Sequence, residues 1–497
     1  MPLEVQTPDW VKDAVFYQIF PDRFARSPRL AAQKPSNLVA WDAPASAGYN
    51  GGDLLGVMEH LDHIQDLGAT ALYFCPVFQS ASYHRYHTHD YYQVDPLLGG
   101  NDAFRRLLDE AHRRGLRVVL DGVFNHASRG FFYFNDILEN GPASPYLDWF
   151  KITDFPVNAY DHSRPASYWA WWGLHALPKL NTDNPRVREY LMQVAEHWLR
   201  VGIDGWRLDV PQEITTPGFW EEFRARVKAV NREAYIVGEI WDAAVPFLQG
   251  DRFDGVMNYQ FTEATLAYVA GPRVDARLVK GMGYKPQNPL DAQQYAARME
   301  WLLNLYPWEI QLAQMNLLDS HDTPRAISLA GGDEASVRLG TLLLMTFPGA
   351  ACVYQGDEIG QEGGVPAYMA RAPFPWDRPE LWQRDVLAYH KELIAIRKAH
   401  KPLRRGTYHI LYADQDVYVF GRRFSGEVLL VAVNAAEATR IVEAPVEGLV
   451  PPGASLQAIY PRAEMGEWGS FTTGAAGPNG SVGLALAPRS GVILKVS

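Results

Sequence analysis

The 497-residue chain has only two cysteines, no long apolar run and no excess of positive charge, and each of these lacks removes a class of protein. Cys75 and Cys352 each lie inside an apolar, strand-like run, so they read as reduced core residues and not as a disulfide or a metal pair. No segment approaches the ~18 consecutive apolar residues of a membrane-spanning helix. The opening "MPLEVQTPDWVKDAVFYQIF" has no basic flank followed by an unbroken apolar stretch, so neither a membrane protein nor an exported one is expected, and the expected compartment is the cytoplasm. Lys and Arg number 46 against 57 Asp and Glu, a formal charge of −11 with no basic run, which argues against nucleic acid and anionic membrane as partners. A neutral or cationic ligand fits better.

The 47% hydrophobic and 12% aromatic content suffices for a large barrel with one or two smaller units. Short β-rich runs alternate with amphipathic helical stretches, the pattern of a parallel sheet with helical crossovers. The expected strands are "VFYQIF", "ALYFCPVF", "RVVLDGVFN", "GWRLDV", "AYIVGEIW", "GVMNYQF", "QMNLLDSHD" and "ACVYQGDE". Between them "LLGVMEHLDHIQDLG" places Leu54, Val57, Met58, Leu61, Ile64 and Leu67 on one helical stripe, and "VREYLMQVAEHWLRVG" stops at Gly202. Eight strand-helix units point to an α/β protein built on a closed (β/α)8 barrel, over residues 1–125 and 181–400. Residues 126–180 form an aromatic-rich segment too long for an ordinary loop and are expected to be an inserted subdomain after the third strand. After "RDVLAYHKELIAIRKAH" the pattern turns to short alternating runs, so residues 401–497 are expected to be a C-terminal antiparallel β domain.

In such a barrel the chemistry sits at the C-terminal ends of the strands. Strand three ends in Asp121, Asn125 and His126; strand four in Arg207, Asp209 and Glu213; strand five in Glu239; strand seven in His321 and Asp322. Any one of these acids could simply cap a helix or fill a buried salt bridge. Several carboxylates, an arginine and two histidines converging on one rim are better explained by catalysis. Arg207 lies two residues before Asp209, on the same strand face, and would keep that carboxylate ionised. Glu239 ends a very apolar run, where desolvation would raise its pKa and preserve a proton. An ionised carboxylate that attacks an anomeric carbon, beside a protonated one that feeds the departing oxygen, is the machinery of glycoside hydrolysis.

At these positions the chain resembles the alpha-amylase family, glycoside hydrolase family thirteen. "DGVFNH" (121–126), "GWRLDVPQE" (205–213), "GEIW" (238–241) and "LLDSHD" (317–322) resemble its four conserved regions, in order and on the expected strands. The resemblance implies Asp209 as nucleophile, Glu239 as general acid/base and Asp322 as the carboxylate that holds the reacting sugar distorted. It implies Arg207 as the nucleophile's partner and His126 and His321 as donors to sugar hydroxyls. Asp121 and Asn125 would hold the mouth of strand three, and Glu213 would contact the acceptor side. Trp241 and Arg371 are further implied substrate contacts, and in "HRYHTHDYYQVDP" His84 and Tyr86 match a sugar-binding histidine and a stacking tyrosine. Together these imply a retaining hydrolase of alpha-1,4, or alternatively alpha-1,6, glucosidic bonds in maltooligosaccharides, cyclodextrins, pullulan or starch. An alpha-glucosidase or a glucosyl-transferring or isomerising enzyme of the same family is the alternative.

Within the family, "VFYQIFPDRF", "HRYHTHDYYQVDP" and "LPKLNTDNP" look most like neopullulanases, cyclomaltodextrinases and maltogenic amylases. Three departures stand out. Those relatives carry an extra β domain before the barrel, whereas here the barrel begins almost at once; a monomer or a homodimer is expected. Their Asn/Asp-rich calcium loop after the first strand is replaced by "ARSPRLAAQKPS", so no cofactor, calcium included, is expected at that site. Ala367, in "VPAYMARAPFPW", stands where they have an aspartate for distant sugars, so short products are expected. The pair His87 and His89 also matches the His-x-His of metal-dependent amidohydrolases, but it follows the second strand and not the first. A catalytically inactive, amylase-like binding protein would be expected to have lost Asp209, Glu239 or Asp322. The tryptophans of "SYWAWWGLH", Trp169, Trp171 and Trp172, fit either a sugar-stacking wall or a packed subdomain core.

Overall fold

The computed structural model describes residues 5–461, 471–473 and 480–497. Eight parallel strands form the central sheet: β1 (Val15–Ile19), β2 (Ala71–Phe74), β3 (Arg117–Gly122), β4 (Gly205–Leu208), β5 (Tyr235–Gly238), β6 (Gly255–Val256), β7 (Met315–Asn316) and β8 (Ala350–Tyr354). They run in the order β6-β5-β4-β3-β2-β1-β8-β7. A parallel bridge between Met257 and Met315, with Asn258 N donating to Met315 O at 2.8 Å, joins the two ends into a barrel. All eight expected strand runs contribute a strand to it.

The period of two decides which side chains face the lumen. Phe16, Ala71, Tyr73, Val119, Tyr235, Val237, Met315 and Cys352 belong to one buried inner cluster, while Val15, Tyr17, Leu72, Val118, Leu120, Trp206, Leu208 and Ile236 pack outward against the helices. Both cysteines are buried and free. Continuing the inward alternation toward the strand ends replaces apolar residues by Gln18, Asp121 and Arg207, and Asp121 and Arg207 are register partners on β3 and β4. Strands β4 and β5 approach so closely that a Cβ on Gly205 would fall 2.4 Å from Tyr235 O, which requires glycine there.

One expected helix differs in detail. The stretch from Leu54 is two helices, Leu54–Glu59 and Leu61–Leu67, broken at His60. The His60 ring bonds the Gly56 carbonyl at 2.8 Å and packs on Trp376 at 4.0 Å, so a side chain takes up a carbonyl of the first helix just where the helix stops. The helix Pro185–Val201 does end at Gly202, at φ 122°. Between β3 and that helix, Phe132–Asn140 forms a helix, and bridges pair His126 with Lys179, Phe150 with Leu180, Ile152 with Tyr168 and Ala170 with Pro178. No helix among the described residues is long and apolar enough to cross a membrane.

Beyond the helices Arg384–Ala399 and Lys401–Arg405, the chain forms a five-stranded antiparallel sheet and a three-stranded one, tied by a common apolar cluster. Two buried arginines lock this part to the barrel. Arg397 Nη1 donates to the carbonyls of Met345, Phe347 and Leu403, and its Nη2 to that of Gly349. Arg422, from the strand Val417–Phe424, donates to the carbonyls of Thr346, Leu403, Gly406 and Thr407. The carbonyls of residues 345–347 terminate the helix Glu334–Thr346, where partner-less acceptors and the negative end of the helix dipole coincide. Burial pushes both guanidinium groups down to about 9, a sign of how much their burial costs. Replacing Arg422 by Met should therefore take a donor from four carbonyls, of which Leu403 keeps that of Arg397, and cost about 2–5 kcal/mol, seen as a lower urea midpoint. Arg422→Lys should fail to restore it, because one ammonium cannot span four carbonyls.

Candidate active site

The polar layer above the lumen is organised by Arg207. Its Nη1 lies 3.0 and 2.9 Å from the two oxygens of Asp121 and 3.1 Å from Asp209 Oδ1, and its Nη2 lies 2.9 Å from Glu239 Oε2. Asp121 is fixed further by the hydroxyls of Tyr73 at 3.1 Å and Tyr86 at 3.0 Å. Glu239 accepts from Trp241 Nε1 at 3.1 Å and from Val210 N at 3.2 Å, and Trp241 lies flat on Tyr259 at 4.2 Å. Val210 holds φ 36°, a left-handed conformation costly for a β-branched residue, directly after Asp209. That strain aims the Val210 N–H at Glu239.

A second group centres on Asp322. His321 Nε2 lies 2.9 Å from its Oδ2, and Arg371 Nη2 donates to its Oδ1 at 2.8 Å while Arg371 Nε holds the His321 carbonyl at 2.6 Å. Tyr86 joins the two groups, since its hydroxyl also lies 2.5 Å from His321 Nε2 and its ring is parallel to the imidazole. His84 stands beside Tyr86 and accepts from its backbone N–H at 3.2 Å.

The electrostatics differ from the expectation that Arg207 keeps Asp209 ionised: its lowering effect is outweighed. Its single charge is divided among three carboxylates. Burial, followed by the charge of Glu239, pushes Asp209 well up; burial raises Glu239 and Asp121 as well. The low carboxylate is Asp322: burial opposes ionisation, but His321 and Arg371 outweigh it. His321 rises to about 10 against its own burial because Asp322 pairs with it. His126 is driven down to about 3 by burial and then by His87, and His84 falls for the same two reasons, so both rings are neutral.

The structure thus brings Asp121, Arg207, Asp209, Glu239, Trp241, Tyr86, His84, His321, Asp322 and Arg371 into one connected network. Asn125 and His126 sit beside it, bonded to each other at 3.3 Å, with Asn125 Oδ1 and His126 Nε2 buried and unpartnered within the protein. Glu213 is not part of the network; it lies in the turn Pro211–Glu213, with Lys179 Nζ 2.7 Å from its carbonyl and 3.5 Å from its carboxylate. Three residues escaped the sequence reading. Gln18 reaches His321 Nδ1 at 2.7 Å, Met257 Sδ meets Arg207 Nε at 3.4 Å, and Tyr73 holds Asp121. Gln18 had a visible signal, an amide at an inward position of an otherwise apolar strand. Among the described residues no cluster of three or more His, Cys, Asp or Glu is arranged to hold a metal ion.

Residues 18–378 match the alpha amylase catalytic domain family and residues 406–463 the alpha-amylase C-terminal domain family. The chain is 42% identical over 449 residues to neopullulanase 2 of Thermoactinomyces vulgaris, covering 89% of this chain and 73% of that one. It is 40% identical over 445 residues to a cyclomaltodextrinase of Geobacillus thermopakistaniensis, covering 89% and 72%. The native debranching enzyme of Nostoc punctiforme superposes with a TM-score of 0.89 at 52% identity, over 99% of this chain and 100% of that one. An arginine-centred ring of carboxylates at the strand ends of an eight-stranded barrel, in a chain matched over most of its length, makes this protein a glycoside hydrolase of the alpha-amylase family.

Proposed function

We propose that the protein hydrolyses alpha-glucosidic bonds of short or cyclic alpha-glucans with retention of configuration, Asp209 acting as nucleophile and Glu239 as acid and then base. The observation that carries this reading is the bridging of both carboxylates by adjacent nitrogens of one guanidinium, which holds them close together on neighbouring strands. Close spacing, about 5–5.5 Å, suits direct attack on the anomeric carbon, whereas an inverting pair needs room for a water between sugar and base. Asp209 bonds to C1 while the proton of the carboxyl cluster passes through Glu239 to the leaving oxygen; a water, deprotonated by Glu239, then releases the sugar and frees Asp209. Asp322, kept ionised by His321 and Arg371, binds hydroxyls of the distorted ring, and Tyr86 stacks beneath it. The names of the relatives, a cyclomaltodextrinase, a neopullulanase and a debranching enzyme, support alpha-1,4 and alpha-1,6 linkages as the substrate class.

The loop after β1 does not fit a calcium ion. Arg23 Nη2 donates to the Ser46 and Gly48 carbonyls, and Arg26 to those of Asn50 and Val39. The nearby carboxylates are also engaged: Asp22 pairs with Arg23 at 3.0 Å and Asp53 with Lys34 at 3.2 Å. Guanidinium and ammonium cations thus hold the oxygens a calcium would need.

Four outcomes test this reading. Glu239→Gln should lower kcat on maltooligosaccharides about 10²–10⁴-fold, yet still give a burst of fluoride from a glycosyl fluoride, whose leaving group needs no proton, before the base-dependent release of the sugar limits turnover, while Asp209→Asn should lose the burst as well. The first-formed product should be the alpha anomer by NMR, and a beta anomer would refute the assignment. In Trp241→Phe, Glu239 loses a donor that favours its charged form, so its pKa should rise and the alkaline limb of kcat/KM should move to higher pH. Dialysis against EDTA should leave the rate unchanged; loss of activity restored by calcium would overturn the loop argument.

A further inference from the structure

The hairpin that pairs Ala170 with Pro178 stands at the edge of the catalytic layer and carries side chains the chemistry does not use. Its turn is tied by Trp171 N to Leu177 O at 3.0 Å and Leu177 N to Leu174 O at 2.9 Å, and its base continues into the bridge between His126 and Lys179. From His126 three rings are piled outward. Trp171 lies on the imidazole at 5.2 Å and 15°, and Trp172 lies on Trp171 at 4.4 Å and 12°. Trp172 ends the pile with 80% of its surface in water.

Nothing in folding alone accounts for tryptophan there. An indole left bare gains little from burial, and Trp172 holds φ 51°, which a non-glycine residue adopts at a cost although Gly173 is its neighbour. Exposed apolar surface and local strain at one residue next to an active site point to a ligand. Trp169, 53% exposed, stands nearby with Lys151 Nζ 4.5 Å above its ring. The tryptophans line an open groove of about 390 Å³ whose polar side is made by Lys179 and Glu213.

A pyranose ring offers a face of C–H bonds to an aromatic wall and a rim of hydroxyls to charged side chains, and this groove presents both partners. We propose that Trp172 and Trp169, with Lys179 and Glu213, form a stacking platform for glucosyl units of an alpha-glucan remote from the scissile bond. The inference rests on the alpha-glucan reading above and adds to it where a long chain leaves the site. Binding on the platform should rise with chain length, because Trp172 ends the pile farthest from His126 and a longer chain covers more of it.

The test compares KM for maltotriose and maltoheptaose in the wild type, Trp172→Ala, Trp172→Phe and the double variant Trp169→Ala/Trp172→Ala. Trp172 is exposed and alanine adds no strain at φ 51°, so the single variant should fold; its melting temperature checks this. Trp172→Ala should raise KM for maltoheptaose about five- to tenfold, the double variant more, with KM for maltotriose unchanged and an intermediate value for phenylalanine. Binding of maltoheptaose to Glu239→Gln should quench tryptophan fluorescence, and the quench should shrink when Trp172→Ala is added. If KM for both substrates stays unchanged in the double variant, or rises equally for both, the platform does not exist. If the wild type cleaves neither, the alpha-glucan reading itself has failed.

Discussion

The site depends on one buried cation. Arg207 carries a single positive charge into a layer that also holds Asp121, Asp209 and Glu239, and its side chain is wholly removed from water. Without it, three carboxylates could not share that space, because each pays desolvation and repels the others. With it, compensation is partial. One guanidinium cannot neutralise three acids, so burial raises all three, and for Asp209 the charge of Glu239 adds to it.

Around this cation the barrel is layered. Apolar residues fill the lumen to the level of Phe16, Val119 and Val237, and the next inward positions turn polar, so the charged layer lies on a dry floor. Two elements outside the sheet complete it. The loop after β7 brings His321 and Asp322, and Arg371, from after β8, grips both a backbone carbonyl and a carboxylate of that loop. Tyr86 couples the halves by bonding Asp121 on one side and His321 on the other. A displacement of either loop would therefore be felt at β3.

The strands were legible because lumen and helix face alternate with a period of two, and the acids because charged residues at the ends of apolar runs are rare. Asp209 and Glu239 announced themselves in this way. The division of Arg207 among three acids was not legible, since it depends on the register that sets Asp121 beside it. The break at His60 was hidden too, because its cause, Trp376, is distant in the chain. For Trp169, Trp171 and Trp172 the sequence left two readings open; only the fold could show that Trp169 and Trp172 face water and Trp171 is half-buried, while Trp149, in the same segment, is buried.

The arginine clamp at the end of the helix Glu334–Thr346 also bears on the order of synthesis. That helix and β8 are translated well before Arg397, and Arg422 follows later still. Until residue 397 has left the ribosome the Met345 and Phe347 carbonyls lack their donor, and the Thr346 carbonyl waits until residue 422. The final strand-helix unit of the barrel must therefore wait for the domain behind it, and a nascent chain arrested between residues 354 and 422 would hold an unfinished barrel wall exposed to chaperones or to other chains.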